Sequence, residues 1–311
     1  MKDNSIPVNH YSSSYHVPVL FYETMNALQI KPDGVYADCT FGGGGHSRGI
    51  LDKLETDGKL IAFDHDAEAA QNIPADERVV FVPNNFRHLK RFLRLHGHPK
   101  VDGVLADLGV SSHQFDEGER GFSTRFEGPL DMRMDQRQEN NASEILKKYT
   151  EQQLHKLFEQ YGEVTNSRTL AKQIVKQRNY SPLQTITHLK AMISPVVKGN
   201  PNKYLAQVFQ ALRIEVNDEM GALKEMLEQL PEVLKPGGRA AVITFHSLED
   251  RLVKNFFRNG TFDEQSENPL LPKEQKNDLK IITKKPIIAG VEEVKRNPRS
   301  RSAKLRVAER V

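Results

Sequence analysis

The nine consecutive residues Asp38-Cys-Thr-Phe-Gly-Gly-Gly-Gly-His46 carry the densest chemistry in the chain. Adjacent glycines let a backbone turn sharply and approach a ligand that a β-carbon would exclude. A short apolar run, Val35 to Ala37, precedes them, and a helical pattern of Ile50, Leu51 and Leu54 follows. Asp64 comes twenty residues after Gly44, at the end of a second apolar run. A carboxylate so placed accepts hydrogen bonds from both hydroxyls of a ribose. Turn and acid together predict a nucleoside site. The chain has neither a clean G-x-G-x-x-G nor the G-x-x-x-x-G-K-[ST] phosphate loop, which disfavours NAD and ATP.

The elements that must position these residues follow from hydrophobic periodicity. Val35 to Ala37, Leu60 to Phe63, Val79 to Val82 and Val104 to Ala106 are short β-branched runs alternating with helical patterns, which predicts βαβ units and a parallel sheet. Three of these strands lead into an acid, at Asp38, Asp64 and Asp107. Ligands of open α/β sheets bind outside the carboxyl ends of the strands, so the acids mark a site. From about Thr150 the pattern is helical only. Thr150-Glu-Gln-Gln153 reads as a capping box, and Leu154, Leu157, Phe158 and Tyr161 follow at helical spacing. Further stripes run through Leu170, Ile186, Leu205 and Met220, before Leu234-Lys-Pro-Gly-Gly238 and a buried strand from Ala240 to Phe245. The expectation is one α/β domain interrupted by an all-helical insertion, with Leu279 to Thr283 and Leu305 to Ala308 as a closing strand pair.

Hydrophobic residues make up 38% and charged residues 27% of the 311, a globular and not a disordered composition. No run approaches the roughly 18 apolar residues of a membrane span, and Met1 to Ser14 lack the apolar stretch of a secretory signal. A loose amino-terminal tail and a cytoplasmic protein are expected. Cys39 is the single cysteine, which excludes an intramolecular disulfide and a cysteine-rich metal cluster.

Several motifs go beyond a generic nucleoside site: Tyr15-His-Val-Pro-Val-Leu20, Asp38 to Ser47, Asp107-Leu-Gly-Val-Ser-Ser112, Arg120-Gly-Phe-Ser123, Gly128-Pro-Leu-Asp-Met-Arg-Met-Asp135, Gln207 to Asn217, Phe245-His-Ser-Leu-Glu-Asp-Arg251 and Asn297-Pro-Arg-Ser-Arg-Ser-Ala303. In this order, from about Tyr15 to Val311, they resemble the bacterial 16S rRNA (cytosine-N4)-methyltransferase family, of MraW or RsmH type. The resemblance implies a class I S-adenosylmethionine methyltransferase, an α/β protein whose Rossmann-like sheet carries an inserted all-helical domain. Residues 1–14 would be the tail, 15–114 and 205–311 the discontinuous methyltransferase domain, and 115–204 a loop plus helical insertion on the substrate side. It implies further that Gly44, Gly45 and His46 line the methionine side of S-adenosyl-L-methionine, that Asp64 holds the ribose, and that Phe86 packs near the adenine. Asp107 and Gln114 complete that set.

The implied acceptor is the N4 amine of a cytidine in 16S rRNA, within the small ribosomal subunit or a late precursor. Methyl transfer from a sulfonium is an in-line displacement, so the protein mainly aligns and polarises the acceptor. Carbon-5 methylation of a pyrimidine uses a thiol nucleophile in later motifs, whereas Cys39 lies in the glycine turn. An exocyclic amine instead needs a hydrogen-bond acceptor, a role open to Asp107. The chain has Asp107-Leu-Gly-Val110 where many amino-methyltransferases have Asp/Asn-Pro-Pro-aromatic, so the stacking aromatic is sought on the loop from Ser111 to Asp135, at Phe115, Phe122 or Phe126. His246 and Ser247, after the fifth strand, are expected near the cleft, with His246 a second catalytic candidate. The carboxyl end from Lys280 to Val311 holds ten Lys or Arg against three acids. Its Arg296, Arg299, Arg301 and Lys304 are expected to grip RNA backbone. A non-catalytic ribosome-assembly factor that keeps the cofactor pocket is the alternative of a different class, and labelled methyl transfer discriminates the two. Oligomeric state is not legible.

Overall fold

The computed structural model describes residues 17–262 and 277–311. The expected tail and the start of the Tyr15 to Leu20 motif lie outside them. Among the described residues eight strands form a single mixed sheet: β1 (Val35–Asp38), β2 (Lys59–Phe63), β3 (Val79–Val82), β4 (Val101–Asp107), β5 (Leu234–Thr244), β6 (Leu279–Ile281), β7 (Ile287–Ile288) and β8 (Lys304–Arg310). Their order is β3-β2-β1-β4-β5-β8-β6, with β7 also paired to β8. β1 to β5 are parallel, and β8 runs antiparallel between β5 and β6. The Rossmann-like α/β class expected from the sequence is the class observed.

Alternation along the strands explains why both faces are covered. Tyr36, Leu60, Leu105, Ala241 and Ile243 point to one face, where Met25, Leu28, Ile50 and Leu51 pack. Ala37, Ile61, Val104, Ala106 and Val242 point to the other, against Leu223, Leu227, Leu230 and Phe256. Successive side chains of a strand project to opposite faces, so a sheet buried on both sides needs continuous apolar runs. The chain leaves β1 for β2 and β3 on one flank and continues through β4 to β5 on the other. The crevice at such a reversal, outside the carboxyl ends of β1 and β4, is the ligand position of open α/β sheets.

Between β4 and β5 lies a second core built from residues 122–216 alone, including Leu130, Leu146, Phe158, Leu170, Ile186 and Leu212. The capping box at Thr150 and Gln153 forms as expected and starts the helix Glu151–Gln160. Val208, Phe209 and Leu212 of the helix Pro201–Asn217 belong to this core. The expected boundary at residue 204 therefore falls inside a continuous helix, because the apolar stripe does not stop there. Asn217 closes the insertion: its amide donates to the Met132 carbonyl at 2.8 Å, and its oxygen accepts from the Met134 N–H at 2.7 Å. Among the described residues no helix is long and apolar enough to cross a membrane.

Candidate active site

The glycine turn is built around two acids. Asp38, at the end of β1, is buried and accepts from the Ser47 hydroxyl at 2.7 Å and the Thr40 N–H at 3.0 Å. Burial pushes its carboxyl up to about 6, against the pull of those two donors. Asp64, at the end of β2, accepts from the Gly42 N–H and the Asp66 N–H, each at 2.8 Å. The turn is thus pinned to the strand ends on both sides. Gly44 sits in the left-handed region at φ +72°, and a β-carbon there would lie 3.0 Å from the Phe41 ring. At Gly45 the same atom would come within 2.4 Å of Pro18. Both positions exclude side chains.

A cavity of about 1150 Å³ opens beside this turn, walled by Gly42, Gly43, Asp64, Asn85, Phe86 and Asp107 among others. Single-ligand pockets run to roughly 300–1,000 Å³, so the space suits a cofactor together with a second ligand. Phe86 has one side on the core of the sheet and one on the cavity.

Asp107 ends β4 at the centre of this wall. Its Oδ1 is buried without a hydrogen-bond partner. Burial pushes its carboxyl well above the ordinary range, and Asp38 and Glu249 push it further. Oδ2 lies 3.5 Å from Nδ1 of His46. The His46 ring is itself buried, which lowers its basicity to about 4, and its Nε2 lies 3.1 Å from the Val19 carbonyl. A neutral ring that donates from Nε2 presents Nδ1 as an acceptor. The two groups therefore do not form an ion pair. An unsatisfied buried carboxyl facing a cavity is a costly arrangement that a ligand relieves.

Asp66 faces the same cavity. Burial would raise its carboxyl, but Arg120, Gln114 and the Glu68 N–H hold it below the usual range. Arg120 Nη2 donates to Asp66 at 2.8 Å and also to the carbonyls of Arg133 and Met134. The guanidinium ties the long loop after β4 to the end of β2. On the far wall, half-buried Arg213 forks onto Glu219 at 2.8 and 2.9 Å, and Glu249 accepts from the Phe245 N–H at 2.8 Å.

A profile of the MraW methylase family matches residues 13–311. The chain belongs to the MraW methylase family. It is similar to a protein named ribosomal RNA small subunit methyltransferase H from Parabacteroides distasonis, 53% identical over 301 residues, covering 96% of this chain and 98% of that one. A protein of the same name from Flavobacterium johnsoniae is 52% identical over 301 residues, with the same coverage. An MraW methylase uses S-adenosylmethionine, and the cradle fits it: a turn closed to side chains, an acid at the end of β2, an aromatic at the end of β3 and an unsatisfied carboxyl at the end of β4.

The structure brings Gly45, His46, Asp64, Phe86, Asp107 and Gln114 to one cavity. Gly44 is buried behind the turn, packed on Phe41. Its contribution is the left-handed backbone. Gln114 is committed on both ends of its amide, accepting from the Ser111 N–H at 3.1 Å and donating to Asp66 at 2.6 Å. His246 does not reach the cavity wall; it caps the helix Ser247–Asn259, with Nδ1 accepting from the Glu249 N–H at 3.4 Å. Its Nε2 lies 3.1 Å from Glu249, which does line the cavity, so the ring stands one side chain behind the wall. Of the three aromatics expected on the loop, Phe122 is buried in the helical core and Phe126 is exposed away from the cavity wall. Phe115 lines the cavity, flanked by the guanidinium carbons of Arg299 at 5.1 Å and Arg125 at 5.9 Å from its ring centre. Phe245 also lines the cavity, and its place directly after β5 was the available signal.

Two expected results follow from this geometry. Cys39 is buried, and burial followed by the Asp38 charge pushes its thiol well above the ordinary range. A thiolate is therefore disfavoured, and Cys39→Ser keeps methyl-transfer activity within a few-fold of wild type; complete loss in a folded variant reinstates a thiol mechanism. Asp64→Ala weakens S-adenosylmethionine binding by roughly 1.5–3 kcal/mol, the scale of hydrogen bonds to a charged group. Calorimetry measures it, with thermal melting run alongside because Asp64 also anchors Gly42. Unchanged affinity in a folded variant removes Asp64 from the ribose.

Proposed function

We propose that this chain transfers the methyl group of S-adenosylmethionine to the exocyclic N4 amine of a cytidine in 16S rRNA, within the small ribosomal subunit or a late precursor. The observation that carries the chemistry is Asp107, an acceptor with a buried unpartnered oxygen on a cavity large enough for two ligands. The names of the relatives support the substrate. When bound, S-adenosylmethionine supplies an electrophilic methyl on a sulfonium. Asp64 then accepts from the ribose hydroxyls, Phe86 packs near the adenine, and Gly45 and His46 border the methionine part. The amine needs its lone pair directed at the methyl, and a carboxylate does this by accepting one of its N–H bonds. Asp107 takes that role, and Phe115 provides the face on which an extruded base stacks. A purely structural assembly factor has no need of an unsatisfied carboxyl in its pocket.

The test is labelled methyl transfer from S-adenosylmethionine to small-subunit particles lacking the modification, followed by mass spectrometry of the nucleosides. N4-methylcytidine is expected. Label at carbon 5 or on protein, or absence of label, overturns the reading.

A further inference from the structure

Between Glu163 and Glu215 the chain contains no aspartate or glutamate, yet it carries eight cations. Three of them are tied down: Arg178 donates to the carbonyls of Leu146 and Tyr149, Lys190 to that of Thr124, and Arg213 to Glu219. The remaining five, Arg168, Lys172, Lys176, Lys198 and Lys203, are exposed and have no ion-pair partner among the described residues. Arg168, Lys172 and Lys176 stand at i, i+4 and i+8 of the helix Ser167–Gln177, whose opposite face buries Leu170, Ala171 and Ile174. They form one row about 12 Å long at the helical rise of 1.5 Å per residue. Just past its end Tyr180 is 84% exposed.

We propose that this row is a docking surface for RNA backbone, engaging duplex or loop phosphates that flank the target nucleotide. The proposal rests on the rRNA reading above and adds where the polyanion lies. Charge complementarity carries it. The preceding helix offers Glu151 and Glu159; Glu159 lies near His155 at 3.7 Å, and neither acid pairs with the row. The cations at the carboxyl end differ. Lys304 and Arg306 are held by Asp250, Arg299 by Asp116, Arg310 by Asp278 and Lys295 by Glu292. Half of the ten carboxyl-end cations are thus paired within the fold, Arg299 and Lys304 of the expected grip among them, whereas the row on the insertion has no acid partner at all among the described residues.

Position agrees with this. The Ser247 hydroxyl, two residues beyond cavity-lining Phe245, donates to Glu163 at 3.3 Å, just before the helix begins. The row therefore starts near the β5 end of the sheet, and an exposed tyrosine at its far end can stack on an unpaired base.

The test uses the full chain with Arg168→Ala, Lys172→Ala and Lys176→Ala combined, and protein-free 16S rRNA as the probe over a salt series. Alanine favours helix, so the fold is retained, and unchanged S-adenosylmethionine affinity verifies it. Each lost phosphate contact flattens the slope of log affinity against log salt by about 0.7–0.9, so a loss of about two units or more is expected. An unaltered slope on naked RNA overturns the proposal; if binding to intact subunits falls all the same, the row meets a ribosomal protein. The slope is read without turnover, so a chain that binds RNA but methylates none of it overturns the activity and leaves the row standing.

Discussion

Asp107→Asn lowers the single-turnover rate of methyl transfer by about 10²–10⁴-fold at saturating cofactor and RNA, the usual contribution of a positioned acid–base group. The amide keeps the shape but is a poorer acceptor for the amine than a carboxylate. The sign of the pH dependence follows from burial. Because Asp107 is pushed well above the ordinary carboxyl range, it is the protonated form that gains population as pH falls, and that form is a weaker acceptor for an N–H than the carboxylate. The wild-type rate therefore rises with pH through the carboxyl's own titration, and the asparagine variant lacks this limb. A cationic sulfonium in the cavity favours the carboxylate, so cofactor binding releases protons from the wild type. The variant should also melt no lower than wild type, since it removes an unsatisfied buried carboxyl. A variant that keeps the rising limb at wild-type rate removes Asp107 from the mechanism.

Arg120→Ala lowers unfolding free energy by about 3–5 kcal/mol at neutral pH, the usual result of breaking a buried pair from one side. Arg120 and Asp66 are both nearly inaccessible, so deletion leaves a carboxylate without its counter-charge. In the wild type Asp66 is held below its ordinary range, and the stability it contributes is present above the unfolded carboxyl range and lost as pH falls through the folded one. Without Arg120, burial raises the same carboxyl, and the penalty appears as pH rises. Urea unfolding should accordingly find the variant far weaker at pH 7 than at pH 4, relative to wild type. Adding Asp66→Asn to Arg120→Ala should recover part of the loss. Strict additivity of the two substitutions would show that they do not act as a pair.

What was legible in the chain was what is local. β1 to β4, the glycine turn and Asp64 are contiguous patterns of spacing and branching, and the capping box at Thr150 is four residues long. The pairing of Asp66 with Gln114 and Arg120 spans 48 and 54 positions, and no periodicity announces a contact of that kind. Phe115, Phe122 and Phe126 were equivalent in sequence because only packing distinguishes a cavity wall from a core. The pairing within the basic carboxyl end was hidden for a related reason. β8 inserts between β5 and β6, which turns Arg306 inward onto Asp250, so a residue counted as surface charge is buried.

The bridge from Asn217 to Met132 and Met134 bears on how the chain reaches its fold. β4 and β5 are neighbours that pair from Asp107 to Ile243, with the whole insertion intervening. Pairing strands so far apart requires closing a long loop before any contact repays the lost entropy, which slows folding. A helical unit with its own core folds on local contacts, and Asn217 brings its exit back to its entrance. Once the unit has collapsed, the effective loop between β4 and β5 shrinks to the connections on either side of that bridge, residues 108–131 and 218–233. The expected order is helices first and the central strand pair afterwards, with the cavity at the ends of those strands completed last.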